Sequence, residues 1–164
     1  MPSVRNAEPV ESRIADRFFD TSAFAKHYRA ELGTAKIDAF LAETGSRHFI
    51  SALGVVELHS VLARLVRDGQ ITAADFHLAR GRFLADIASG LWQIVPVTAA
   101  HFHHAHQLLV RHGLGRSLRT LDALQLSVSL LSTVRPLDAF VCADSNLCLV
   151  AAAEGLTVVN PEAP

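Results

Sequence analysis

Short apolar runs alternate along this chain with longer stretches of helical periodicity, and that alternation leaves few folds open. The runs at Phe18 to Asp20, His48 to Ser51, Gln93 to Val95, Ala139 to Ala143 and Thr157 to Val159 carry the β-branched and aromatic residues of strands. Between them the pattern predicts helices at Ser22 to Tyr28, Thr34 to Thr44, Gly54 to Asp68, Ala73 to Ser89, Ala99 to Arg111, Leu121 to Leu131 and Ser145 to Ala153. Gly69, Gly90, Gly113 and Gly155 fall where helix ends turn left-handed. Strands alternating with helices give an α/β fold, a mostly parallel sheet wrapped by helices. The first strand is the weakest of the five, because Arg17 precedes two phenylalanines rather than a longer aliphatic run.

At 164 residues the chain has the length of one domain able to bury a real core. Hydrophobic residues make up 50% and charged residues 19%, a globular balance. No apolar stretch approaches the roughly 20 residues of a membrane helix. Residues 1–16 read as an N-terminal extension ahead of a single domain over 17–164. That extension is charged and lacks the apolar centre of a secretory signal, so a cytoplasmic protein is expected. Cys142 and Cys148, the only cysteines, read as free buried thiols. A net charge of −1 argues against a bulk basic surface, yet the basic residues are 13 Arg and 2 Lys. Arginine suits phosphate and base stacking, although a GC-rich genome gives the same preference.

Four acids, Asp20, Glu57, Asp122 and Asp144, each stand at or beside the junction of an apolar segment. Asp20 and Asp144 follow predicted strands, at the end where open α/β sheets place their ligands. Glu57 and Asp122 fall in the first turns of predicted helices. Any one of them alone reads as a helix cap or dipole partner. Carboxylates gathered at one place suit a hard cation such as Mg²⁺, which takes oxygen ligands and keeps several waters.

The sequence around these acids resembles the PIN-domain ribonucleases, in particular their VapC-type toxin branch. Asp20-Thr21-Ser22-Ala23-Phe24-Ala25-Lys26-His27-Tyr28 is similar to the family's opening motif. Ser51-Ala52-Leu53-Gly54-Val55-Val56-Glu57-Leu58 is similar to the second, and Thr120-Leu121-Asp122-Ala123-Leu124-Gln125-Leu126 to the third. Ala143-Asp144-Ser145-Asn146-Leu147, with the stretch from Ala152 to Pro161, resembles the closing segment. Two positions depart from the pattern: Gln125 stands where histidine is frequent, and Asn146 where a basic residue is common.

The resemblance implies a three-layer α/β/α sandwich in which Asp20, Glu57, Asp122 and Asp144 hold one or two Mg²⁺ or Mn²⁺ ions and hydrolyse RNA. It also implies a small antitoxin covering the acidic site, and a homodimer. Thr21, Ser22 and Ser145 would support the acids, with helix capping as the competing role. The alternative is a PIN-like module that binds RNA or protein without cutting. An aspartyl phosphatase fits poorly, because Asp20-Thr21-Ser22 lacks the second aspartate two residues on. His101, His103, His104 and His106 are expected as a solvated or partner-facing stripe rather than a zinc site, and Trp92, Phe76, Phe83 and Phe102 as core. Arg64, Arg67, Arg80, Arg82, Arg116 and Arg119 are placed on solvated helix faces by default, with the rim of an RNA groove as the alternative, for which Arg116 and Arg119, just before Asp122, have the best claim.

Overall fold

The computed structural model describes residues 14–132 and 136–163. The expected extension, 1–16, lies outside the described residues except for 14–16, and Asp16 already opens the first strand. The strands are β1 (Asp16–Phe19), β2 (Arg47–Ser51), β3 (Gln93–Val95), β4 (Ala139–Val141) and β5 (Val158–Val159). The helices are α1 (Thr21–Phe24, continued by a 3-10 turn over Ala25–His27), α2 (Thr34–Leu41), α3 (Ala52–Arg67), α4 (Ala73–Ala88), α5 (Ala99–Arg116), α6 (Thr120–Leu131) and α7 (Ser145–Ala153).

All five strands pair in parallel, in the order β3-β2-β1-β4-β5. A central parallel strand is buried on both faces, and β1 achieves this with aromatic rings. Phe18 points to one side, among Phe49, Phe140 and the apolar faces of α5, α6 and α7. Phe19 points to the other, among Ile50, Trp92 and residues of α1, α3 and α4. These two clusters are the two cores of an α/β/α sandwich. Because β1, β2 and β3 run outward one way and β4 and β5 the other, the chain reverses direction between β1 and β4. Such a switch point opens a crevice beyond the carboxyl ends of its strands.

The structure corrects several expectations. Gly69, Gly90 and Gly155 do take positive φ just past α3, α4 and α7, but Gly113 does not. The helix α5 runs through Gly113 to Arg116, and Ser117 makes the left-handed turn instead. Its last turns stay wound because His112 is buried and bonds Glu154, just past α7, at 2.6 Å. The buried face of α5 is His101, Ala105, Leu108 and His112. Phe102, expected in the core, is therefore turned away from it and 59% exposed. His101, expected in a solvated stripe, is buried, where its ring accepts from the Thr98 backbone and closes a capping box. His104 is half-buried against Ser127, while His103 and His106 face solvent. Trp92 and Phe83 are buried as expected, and Phe76 is half-buried. Both cysteines are free. No helix among the described residues is long and apolar enough to cross a membrane.

Candidate active site

Beyond the carboxyl ends of β1 and β4 lies a cleft of about 840 Å³, and Asp20, Glu57, Asp122 and Asp144 all line it. Asp20 follows β1 directly and caps α1, its Oδ2 accepting from the Ser22 amide at 2.9 Å and the Ser22 hydroxyl at 2.6 Å. The same hydroxyl accepts from the Ala143 amide at 3.0 Å. One serine thus ties the loop after β1 to the loop after β4, and with it Asp20 to the neighbourhood of Asp144. Asp144 caps α7 through the Leu147 amide at 3.0 Å. Capping and lining the cleft are both satisfied, because each aspartate turns one oxygen back to its helix.

Glu57 stands in the second turn of α3, where its Oε2 accepts from the Thr21 hydroxyl at 2.7 Å and from the Gln125 amide. Asp122 lies in the first turn of α6. Arg119 bridges two of the acids, its guanidinium 3.8 Å from Asp122 and 3.5 Å from Asp144. It is 72% exposed, so this pairing is weak and easily exchanged for another anion.

The electrostatics carry the mark of crowded carboxylates. Burial pushes the Asp20 carboxyl up from its ordinary 3.8 to about 6; the Ser22 bonds oppose that rise, and the charges of Glu57 and Asp122 add to it. Burial also raises Asp122, followed by the charge of Asp144, with Arg119 opposing. A site that holds its acids against their own repulsion gains from a cation. Among the described residues, no three His, Cys, Asp or Glu side chains close around a single point as they stand. The fit to a metal is therefore one of donor type and space: hard carboxylate oxygens facing a cleft with room for waters and phosphate, the way Mg²⁺ is held.

The family profile described as PIN domain matches residues 17–153. The chain belongs to the PIN domain family. In fold this PIN domain is similar to FitAcB from Neisseria gonorrhoeae, with 16% identity and a TM-score of 0.62 over 88% of this chain and 97% of that one. It is also similar to VapBC2 from Rickettsia felis bound to a DNA fragment from their promoter, with 11% identity and a TM-score of 0.60 over 88% and 98%. No curated protein matches the chain by sequence.

Of the supporting residues expected for this PIN domain, Thr21 and Ser22 line the cleft, whereas Ser145 opens α7 exposed to solvent. Arg119 lines the cleft; Arg116 does not, and donates instead to the Leu149 carbonyl at 3.1 Å. Three further basic residues line the cleft, of which the sequence pattern passed over Lys26. Arg64 and Arg67 are exposed, as the default reading had them, and also line the cleft from the far end of α3, as the groove reading had them. Lys26 is buried in its wall between Glu31 at 3.0 Å and Glu162 at 2.6 Å. Burial disfavours its charge, and those two carboxylates outweigh burial and hold it protonated. The signal for the arginines was their i,i+3 spacing, which repeats one helical turn and stands two turns beyond Glu57.

Proposed function

We propose that this PIN domain is a metal-dependent endoribonuclease acting as the toxin of a toxin–antitoxin pair. The observation that carries this reading is the meeting of four acids from four separate segments in one cleft at the sheet's switch point. The VapC-type motifs and the likeness in fold to FitAcB and VapBC2 support the toxin assignment.

Asp20, Asp122 and Asp144 would hold Mg²⁺ or Mn²⁺, with Glu57 as ligand, water-bridged ligand or base. When bound, the ion supplies charge neutralisation at the scissile phosphate and acidifies water, so no protein nucleophile is needed. The chain's own side chains do the rest. Glu57 lines the cleft with one oxygen held by Thr21 and Gln125, and the other would take a water proton. Arg119 is free to leave Asp144 for the substrate phosphate once the carboxylates are neutralised. The antitoxin that restrains such an enzyme would cover the cleft and offer its acids a cation, and the toxin reading brings with it the expectation of a cytoplasmic homodimer.

The deciding test is cleavage of a mixed structured RNA by the antitoxin-free protein in EDTA, Mg²⁺ or Mn²⁺, beside Asp20→Asn prepared identically. Cutting that needs the metal and disappears in the variant is expected. Equal binding of metal and RNA by both proteins, with no cutting by either, would instead leave a module that binds RNA or protein.

Arg64 and Arg67 give a second prediction. Their side chains make no hydrogen bond or ion pair among the described residues, which leaves both guanidinium groups available to RNA phosphates. Replacing the pair with alanine is expected to weaken RNA binding roughly 10-fold at low salt and to flatten its dependence on salt by about one released ion for each arginine removed. Titrations of RNA at several salt concentrations give the slope. A slope equal to that of the parent protein would remove these arginines from the RNA path.

A further inference from the structure

Gln125 lies on α6, three residues after Asp122, and is 1% exposed. Its amide joins a chain of hydrogen bonds that can run in only one direction. The Gly54 amide donates to the Ser51 hydroxyl at 2.9 Å, and that hydroxyl donates in turn to Gln125 Oε1. With its oxygen fixed as the acceptor, Gln125 must aim its NH₂ the other way. It donates to Thr21 Oγ1 at 2.9 Å and to Glu57 Oε2. Thr21 Oγ1, having accepted, donates its own proton to the same Glu57 Oε2 at 2.7 Å. The relay therefore ends in two bonds on one oxygen of one cleft carboxylate, and Glu57 Oε1 accepts nothing among the described residues.

Backbone packing is shaped around the same amide. A Cβ at Gly54 would lie 3.4 Å from both Gln125 Nε2 and Thr21 Oγ1, and 3.1 Å from the Phe24 ring. Glycine at this place lets α3 approach α1 and α6 closely enough for the relay to close. These three helices carry or adjoin Glu57, Asp20 and Asp122.

We propose that Gln125 is the positioning residue of the site: it holds Glu57 Oε2 as an acceptor and so decides which of the two oxygens is left for an incoming cation or water. This deepens the ribonuclease reading and rests on it. A buried amide serving packing alone could end on any acceptor. Here one of its donors goes to Glu57 directly and the other to Thr21, whose hydroxyl donates to the same Glu57 oxygen.

The test uses the full chain and Mn²⁺ as the probe, comparing Gln125→Leu, Gln125→Glu and Gln125→His by calorimetric Mn²⁺ titration, melting in EDTA, and kcat and KM on an RNA the parent cuts. Gln125→Glu keeps the shape and the acceptor for Ser51 while deleting both amide donors, so it stands in should the leucine variant fail to fold. Histidine retains one accepting and one donating nitrogen. Leucine and glutamate are expected to weaken Mn²⁺ binding and lower kcat by 10- to 100-fold, as loss of a group that orients a ligand does, with KM for RNA within about twofold. Histidine is expected to recover most of both. A folded leucine or glutamate variant with parental Mn²⁺ affinity and kcat would overturn the proposal, as would a histidine variant no better than leucine. If the parent binds Mn²⁺, Gln125→Leu weakens that binding and neither protein cuts RNA, the ribonuclease reading fails while Glu57 positioning stands. A parent that binds no Mn²⁺ overturns both.

Discussion

Asp20→Asn is expected to abolish RNA cleavage, by at least 100-fold as for other groups that hold a catalytic charge, and at the same time to make the metal-free protein more stable at pH 7. The two effects come from one cause. Asp20 is 5% exposed, and its folded-state pKa stands at about 6 against an ordinary 3.8, chiefly because burial penalises the charged form. A carboxyl raised in the folded state binds its proton more tightly there than in the unfolded chain. Its contribution to stability is therefore fully present below pH 3.8, is lost as the pH rises from 3.8 through 6, and is absent at pH 7. The shift of about two pH units corresponds to an upper bound of ~3 kcal/mol. Asparagine keeps an oxygen that can accept from Ser22, so the cap on α1 survives while the charge goes. Melting in EDTA should show Asp20→Asn above the parent at pH 7 by a few degrees, with the gap closing near pH 4. Added Mn²⁺ should then stabilise the parent and leave the variant unmoved. A variant that melts lower than the parent at pH 7 would show that the cap outweighs the buried charge, and repulsion among the cleft acids would no longer account for a gain from a cation.

Much of this arrangement was legible in the sequence, and the reason is local. Asp20 and Asp144 each follow an apolar run and cap the helix that comes next, so strand ends and caps could be read together. Parallel pairing then brings the two aspartates to the same edge of the sheet, because β1 and β4 are neighbours whose carboxyl ends pair, Phe19 against Val141. The Gln125 relay was not legible. It joins residues up to 104 positions apart, and nothing in the spacing of Thr21, Ser51, Glu57 and Gln125 says that their polar atoms meet. The helical face of α5 failed for a different reason. Apolar and histidine residues are mixed all round that helix, and the stripe that packs combines Ala105 and Leu108 with the histidines His101 and His112, which hydrophobicity alone does not select. That is why His101 is buried and Phe102 exposed.

The strand that looked weakest in sequence is expected to be among the costliest to disturb, and Phe19→Ala measures it. β1 is the middle strand of five, and its two phenylalanines belong to opposite cores, so each closes one layer of the sandwich. Phe19 is fully buried and meets Trp92 edge-on at 5.2 Å, His48 at 5.7 Å and Phe40 at 6.5 Å. Truncating a buried phenylalanine leaves a void that the surrounding rings cannot fill, and costs about 3–5 kcal/mol. Domains of this kind have a total stability of only about 5–15 kcal/mol. Phe40 is half-buried at the rim of the same cluster, where the Arg17 guanidinium lies 4.5 Å above its ring, so Phe40→Ala should cost about half as much. Urea unfolding of the two variants separates core from rim, and equal losses would refute the placement of Phe19 at the centre. Activity adds a sharper reading. Asp20 is the next residue after Phe19, and its amide is held by the Val141 carbonyl of β4 at 2.9 Å rather than by the phenylalanine ring. While Phe19→Ala remains folded, its cleavage rate per folded molecule should therefore stay within a few fold of the parent, because the backbone ladder, not the ring, sets where the acid stands.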